Sequence, residues 1–541
     1  MSEEHDPPTE YQIIGVFKLK VARAINMKTK SNSLFKKRSA GVLVHITSLP
    51  SSESFWGDNS EFRIGTIGKD AFDFVDFMMK AGLKVWQMLP VVPTDNSPYQ
   101  AISVHAGNPD LISLDDLRSR GWINENDLSG AEKSLTALKE VRKRCAESFH
   151  KYIATQEGKD IKNLFEKFCI DESAWLKDFA MYCVLREKND QKSWVDWPED
   201  VRNRAADTLE EYSKNLKVEI DVYLFEQFSF FFQWRELKNY ANSNGIILLG
   251  DMPIFVGHDS ADVWAQQNYF QLDKRGKALT VAGVPPDFFP EEGQRWGNPH
   301  YAWDAMEEDG FQWWLTRLKT QLQLFDVIRV DHFRAFDAYW EIPGDSEGAR
   351  QGKWVKAPGE ALLKACTEKY PDLPLVAENL GLITKDVEKL RRNFKLPGML
   401  VLQFAFDGNS DNPHLPHNHK RTDIIYTGTH DNDTTLGWYH QLSDDAKLQL
   451  KTYCLNSDAH LPWLLIKVAL ASVGRLAVVP MQDFLGLDSS HRMNTPGTAE
   501  DNWSWKFSWD QMESNLPERI REDLKLYQRL DKMLTEIASP S

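Results

Sequence analysis

Asp326-Val-Ile-Arg-Val-Asp-His-Phe-Arg334 opens as a short apolar, β-branched run and ends in a cluster of ionisable groups. Such a run reads as a buried strand that delivers charge to an open end. Arg329 and Asp331 are two residues apart, so on a strand they point the same way. A guanidinium beside a carboxylate keeps the carboxylate ionised at neutral pH. An ionised, fixed carboxylate is what attack on a sugar carbon requires. A structural ion pair at a strand end has the same local sequence, so the rest of the chain must decide.

Working outward, comparable runs recur. Gly41-Val-Leu-Val-His-Ile46, Leu83 to Pro90 and Gly245-Ile-Ile-Leu-Leu-Gly-Asp251 precede it. Pro374-Leu-Val-Ala-Glu378, Gly398 to Phe404, Asp423 to Asp431 and Leu476 to Asp483 follow. Helical periodicity lies between several of them, at Asp70 to Ala81, Tyr223 to Ala241 and Phe311 to Leu322. Strand, helix and strand at this spacing imply a parallel sheet. Eight such runs predict a (β/α)8 TIM barrel over residues 39–541, with polar groups at the C-terminal strand ends. A doubly wound open sheet is the alternative, and it lacks a glycine-rich phosphate turn after the first strand.

From about 114 to 222 charged helix formers dominate, which predicts a helical insertion subdomain after the second strand. Residues 1–38 read as an N-terminal extension, with a strand or helix at Tyr11 to Ile25 and a linker at Lys28 to Lys37. Leu461 to Val473 is apolar but short and holds Lys467, so it reads as a buried helix and not a membrane span. Val284 to Asn298 reads as a long polar and aromatic loop.

The formal charge of −15 disfavours nucleic acid or an anionic membrane as a partner. Five scattered cysteines suggest neither a disulfide framework nor a zinc site, and the acidic N-terminus lacks a secretory signal, so a cytoplasmic protein is expected. Nineteen Trp and 29 Phe serve mostly as core, although flat rings also pack on sugars.

Asp331, Glu378 and Asp431 fall at the ends of the fourth, fifth and seventh predicted strands, which converge on one cleft in a barrel. Three acidic groups there repel one another, so at least one pKa should rise. Glycoside chemistry uses such a set: one carboxylate attacks the anomeric carbon and a protonated one feeds the leaving oxygen. Asp331, near Arg329 and Arg334, is the anion, and Glu378, with no basic sequence neighbour, is the candidate acid. Asp431 with His430 is placed to hold sugar hydroxyls. The same residue types also bind metals, but the nearby arginines disfavour a cation, and no metal or organic cofactor is expected.

The motifs extend beyond the carboxylates. They include His45-Ile-Thr-Ser-Leu-Pro50, Ser97-Pro-Tyr-Gln100, Ala106-Gly-Asn-Pro109, Gly250-Asp-Met-Pro-Ile-Phe-Val256 and Gly293-Gln-Arg-Trp-Gly-Asn-Pro299. Ala377-Glu-Asn-Leu-Gly381, Gly428-Thr-His-Asp-Asn-Asp-Thr434 and Arg492-Met-Asn-Thr-Pro-Gly-Thr498 continue the series. Together they resemble, in order, the 4-α-glucanotransferases of the amylomaltase or disproportionating enzyme family, related to the α-amylases. The resemblance runs from near residue 41 to near residue 506.

It implies transfer of α-1,4-glucan segments between malto-oligosaccharides by a retaining double displacement. Asp331 would be the nucleophile, Glu378 the acid and then base, and Asp431 the transition-state stabiliser. Arg329 and His430 would surround the reacting sugar and Tyr99 would stack on it. Ser97, Asp251 and Asp407 would be further sugar contacts, as would His332 and Asn494 from the matching motifs. Gln294 and Trp296 would line the acceptor side. Phe288, Phe289 and Trp296 would belong to an acceptor-side lid over about 284–299. A retaining mechanism predicts the Asp331 and Glu378 carboxyls about 5–5.5 Å apart.

Three departures from the family pattern stand out. Pro93-Thr-Asp-Asn-Ser97 runs through where a Gly-Tyr-Gly stretch is common, Phe288 replaces a common Tyr, and His105 replaces a usual Phe. Two other classes remain open: an α-glucan hydrolase on the same barrel and an inactive carbohydrate-binding protein. The first lacks an evident amylase-type calcium domain, and the second has no use for an acid/base pair.

Overall fold

Alternating side chains along twelve short strands build the frame. In chain order these are β1 (Ser39–Leu43), β2 (Val85–Gln87), β3 (Ile247–Pro253), β4 (Thr280–Val284), β5 (Gln294–Pro299) and β6 (Val327–Asp331). They continue with β7 (Ala338–Pro343), β8 (Lys353–Lys356), β9 (Leu375–Ala377), β10 (Gly398–Val401), β11 (Asp423–Tyr426) and β12 (Leu476–Pro480). The computed structural model describes residues 35–56, 63–131, 134–286, 292–454, 460–498 and 500–531. Most of the N-terminal extension, including the expected element at Tyr11 to Ile25, and the aromatic pair Phe288 and Phe289 lie outside the described residues.

Eight strands form one parallel sheet in the order β10-β11-β12-β1-β2-β3-β6-β9. The Ala377 N–H donates to the Pro397 carbonyl at 2.9 Å, which brings β9 against the start of β10 and curls the sheet into a barrel. The chain is therefore a (β/α)8 barrel, with each of the eight expected runs contributing one strand.

Period-two alternation splits each strand between two cores. Leu43, Val85, Leu249, Val327, Val376, Met399 and Tyr426 fill the barrel interior. Val42, Trp86, Leu248, Ile328 and Val330 face the helical layer. Burying an aliphatic side chain of this kind contributes about 1.5–3 kcal/mol, so the apolar run of β6 commits it to the middle of the sheet. Gly250 in β3 is needed for packing: a Cβ there would stand 2.2 Å from the Phe325 ring.

Between β2 and β3 the chain is helical, with segments at Leu114–Ser119, Leu135–Ile153, Lys159–Asp171, Leu176–Lys188, Glu199–Arg202 and Ala206–Asn215. The 27-residue helix Lys217–Ser243 then returns to the barrel, burying Phe225, Phe228, Phe231, Trp234 and Leu237. The apolar stretch expected to be a buried helix folds as Trp463–Ala471, and no described helix is long and apolar enough to cross a membrane.

The structure also corrects the reading. The last third of the expected loop Val284 to Asn298 is strand β5, and it joins an antiparallel sheet in the order β5-β4-β7-β8. Gln294, Trp296 and Asn298 alternate with Arg295, Gly297 and Pro299, and the glycine and proline hid that period. Most of the expected strands were too long at their C-terminal ends, whereas β3, expected to end at Asp251, runs on to Pro253. β11 stops at Tyr426, so His430 and Asp431 stand in the turn beyond it, and a 3-10 turn replaces strand at Leu402–Phe404.

Candidate active site

The inward parity of the barrel strands carries polar groups to its open end. Val327, Arg329 and Asp331 share one side of β6, Leu249 and Asp251 one side of β3, and Val376 leads to Glu378 just past β9. Register then fixes neighbours: Asp251 pairs with Arg329 across β3 and β6, and Val330 pairs with Ala377 across β6 and β9. Asp331 and Glu378 each follow one member of that last pair. Adjacent strands lie about 4.7–4.9 Å apart, so their carboxyls rise side by side.

Arg329 is the electrostatic hub. Its Nη1 lies 2.7 Å from both Asp251 oxygens and 2.8 Å from Asp331 Oδ1, and its Nε donates to Met399 Sδ at 3.3 Å. Burial alone opposes the guanidinium charge, but Asp251 and Asp331 raise its pKa well above the ordinary value. The Asp251 side chain has no exposed surface, so it holds Arg329 and the Tyr99 hydroxyl, which donates to Asp251 Oδ2 at 2.9 Å. Asp331 keeps 30 % of its side chain open to the cleft.

Glu378 has different surroundings. It is 8 % exposed and accepts from two backbone N–H groups, His332 at 2.8 Å and Leu380 at 2.6 Å. His332 adopts a left-handed conformation (φ 54°, ψ 47°), uncommon for a non-glycine residue, and that turn aims its N–H at the carboxyl. Burial pushes the Glu378 carboxyl up to about 7; Arg329 and the two N–H bonds oppose this, and the Asp331 charge adds to it.

Asp431 is driven the other way. Its Oδ1 accepts from Asn494 Nδ2 at 2.6 Å and its Oδ2 lies 3.3 Å from His430 Nε2. Its enclosure in the cleft opposes ionisation, yet His430, Asn494 and Arg329 together hold it well below the usual carboxylate range. For His430, burial opposes charge and the Asp431 carboxylate outweighs it, raising the imidazole pKa.

Tyr99 links the two sides. Its hydroxyl also lies 2.8 Å from His430 Nε2, and the two rings stack at 5.3 Å. Ser97 sits two residues before it, with Oγ accepting the Tyr99 N–H at 3.2 Å. On the other rim the Trp296 indole stands edge-on to His332 at 4.9 Å and donates to Gln294 Oε1 at 2.8 Å. Asp407 lies on an exposed turn, its Oδ1 taking the Asn409 N–H at 2.9 Å.

Two further neighbours were not among the expected site residues, although Arg492 opens one of the quoted motifs. Trp503 packs 5.7 Å from the Tyr99 ring and 6.1 Å from His430, and Arg492 Nη2 donates to the Asp431 carbonyl at 3.0 Å. Both come from the irregular segment after β12, where no periodicity marks a side chain's direction. Among the described residues no group of three His, Cys, Asp or Glu side chains is placed to hold a metal ion.

Comparison with known proteins agrees with this geometry. The family pattern described as 4-alpha-glucanotransferase matches residues 44–512. A 4-alpha-glucanotransferase of Thermus thermophilus is 42% identical over 514 residues, covering 91% of this chain and 99% of the relative. A chloroplastic/amyloplastic 4-alpha-glucanotransferase of Solanum tuberosum is 40% identical over 511 residues, covering 91% of this chain and 87% of the relative. Among solved structures, the amylomaltase from Streptococcus agalactiae in complex with acarbose superposes with a TM-score of 0.85 at 35% identity, covering 92% of this chain and all of that one. An inward carboxylate set on a barrel of this type, matched over nearly the whole chain, makes this protein a member of the 4-alpha-glucanotransferase family.

Proposed function

We propose that the protein moves α-1,4-glucan segments from one malto-oligosaccharide to another sugar through a covalent glucosyl-enzyme. The observation that carries this reading is the unequal pair on adjacent strands: Asp331 ion-paired to Arg329, and Glu378 with its carboxyl raised to about 7. Asp331 attacks C1 of the bound glucose while Glu378 gives its proton to the departing glycosidic oxygen. Ester formation removes the Asp331 charge that helps to hold the proton on Glu378. The Glu378 pKa then falls, which suits it to take the proton from the incoming hydroxyl. The second attack restores the original anomeric configuration. Asp431 and His430 hold hydroxyls of the reacting sugar, and their bonds strengthen as charge develops.

Transfer and hydrolysis differ only in which hydroxyl reaches the ester. A sugar seated on Trp296 and Gln294 of β5 has the advantage of proximity over water. Asn494 and Ser97 support the donor side, and Asp407 and His332 add further sugar contacts. Five unpaired cysteines suit a reducing compartment such as the cytoplasm.

Maltotriose incubated alone with the protein tests the reading. Glucose together with chains longer than the substrate supports transfer; glucose and maltose with nothing longer means a hydrolase. Bound sugar without products means a binding protein.

A further inference from the structure

A cavity of about 190 Å³ lies away from the catalytic carboxylates, where the helix Gln312–Leu324 meets the helix Ala261–Ala265 and the segment before Leu176. Its wall includes His105, Trp175, Asp262, Tyr269, Trp313 and Thr316. His105 is the residue that stands in place of a usual Phe, and the catalytic account gives it no task. Its ring stacks on Trp175 at 5.9 Å and meets the edge of Trp313 at 6.4 Å. Its Nδ1 lies 3.0 Å from the Thr320 hydroxyl, and its Nε2 stands 3.8 Å from Asp262 Oδ1, beyond hydrogen-bonding distance. The other Asp262 oxygen accepts the Val104 N–H at 2.9 Å. Burial holds His105 down to about 3 and pushes Asp262 up to about 6, so near neutral pH an uncharged imidazole faces a carboxylate.

The chemistry narrows the ligand. The cavity is smaller than the roughly 300–1,000 Å³ of drug-sized sites, so it suits one ring and not a chain. Its lining holds carboxylates but no lysine or arginine, which disfavours a phosphorylated ligand. Flat indole and phenol rings pack on the apolar faces of sugars, and a hydroxyl lying between His105 Nε2 and Asp262 Oδ1 would bond to both. We propose that this cavity binds a single neutral pyranose, as free glucose or as the end of a glucan. The choice of ligand rests on the glucan-transfer reading, in which glucose is released and consumed.

The site also has a physical route to the cleft. The helix that supplies Trp313 and Thr316 also carries Arg317. The Arg317 guanidinium bonds the Pro253 carbonyl at the end of β3 and the Ile254 carbonyl at 3.1 Å. β3 carries Asp251, the partner of Arg329.

Equilibrium dialysis of labelled glucose against the full chain tests the proposal. Ala265→Phe, which fills the cavity, and His105→Phe, which keeps the ring and removes its nitrogens, should each lose one bound equivalent. Trp296→Ala, on the acceptor rim, should retain that equivalent. In an Asp331→Asn background, where labelled glucose is not turned over, displacement by excess maltohexaose would make a glucan end the occupant; retention would make it free glucose. Thermal melts of both cavity variants establish that they fold, and His105→Phe suffices if the larger residue prevents folding. Equal stoichiometry in the unmodified protein and a folded cavity variant would overturn the proposal. Maltotriose turnover on the same samples separates the two readings. A missing ladder sinks glucan transfer, whereas an intact ladder with unchanged glucose binding sinks only the cavity.

Discussion

Glu378, beyond β9, is held by two backbone N–H groups, whereas Asp431, beyond β11, is held by an imidazole and a side-chain amide. Glu378 is 8 % exposed, and the Asp431 side chain is 46 % exposed. Both are carboxylates at the open end of one barrel, yet burial raises the first toward neutrality and a paired histidine lowers the second. In the proposed reaction the first place stores a transferable proton and the other keeps a negative charge. The division of labour lies in the partners, since the residue types are nearly the same.

The strongest way to break this contrast is to remove the charge between them. Asp331→Asn should cut maltotriose disproportionation by on the order of 10⁴- to 10⁶-fold in kcat, as loss of a nucleophile does. It should also lower the Glu378 pKa, because the Asp331 charge helps to raise it. A carboxyl titration followed by NMR that left Glu378 unmoved would count against the coupling.

Glu378→Gln should cost about 10²- to 10⁴-fold in kcat, the usual contribution of a positioned acid. With a glycosyl fluoride donor, whose leaving group needs no proton, the first step should largely recover. In the unmodified enzyme, kcat/KM should fall as pH rises through about 7, where Glu378 loses its proton.

Stability gives a sign test. Between pH 4.5 and about 7 native Glu378 keeps a proton that the unfolded chain has released, so its contribution to stability falls as pH rises. The stability gap between Glu378→Gln and the unmodified protein should therefore shift in the variant's favour across that window, by on the order of 3 kcal/mol. Asp431 has a lowered pKa. Its stabilisation is fully present above its unfolded value of 3.8 and is lost only as pH falls below it. Asp431 itself adds no slope across the same window, so any slope in the Asp431→Asn gap there belongs to His430, whose pKa the Asp431 carboxylate raises. Urea melts at several pH values check both, and a Glu378→Gln gap that stays constant from pH 4.5 to 7 would count against the raised Glu378 pKa.

The smallest effect expected is at the support of Asp431. Asn494→Ala removes its 2.6 Å bond and should lower kcat/KM by roughly fivefold, about 1 kcal/mol, with an upward shift of the Asp431 pKa. An unchanged pH profile would place Asn494 outside the electrostatic account.

Much of this was legible in the sequence where strands are buried on both faces. β9 and β12 are uninterrupted apolar runs, β6 is apolar apart from Arg329 and Asp331, and two-residue parity puts Arg329 with Asp331 and Val376 with Glu378. The antiparallel sheet was not legible, because Gly283 in β4 and Gly297 and Pro299 in β5 carry the composition of a turn. Nor were the contacts that Trp503 and Arg492 make with Tyr99 and Asp431 from irregular backbone. The pKa contrast was half visible. The lack of a basic neighbour beside Glu378 pointed to the acid, but the His332 turn that aims an N–H at it has no sequence mark.

The most direct test of the central claim is intact-protein and peptide mass spectrometry of Glu378→Gln mixed with an α-maltotriosyl fluoride. The protein should become heavier by one maltotriosyl unit, with the label on the peptide containing Asp331. A label on any other residue, or release of inverted sugar with no adduct, would contradict the assignment of Asp331 as nucleophile and Glu378 as the group that completes transfer.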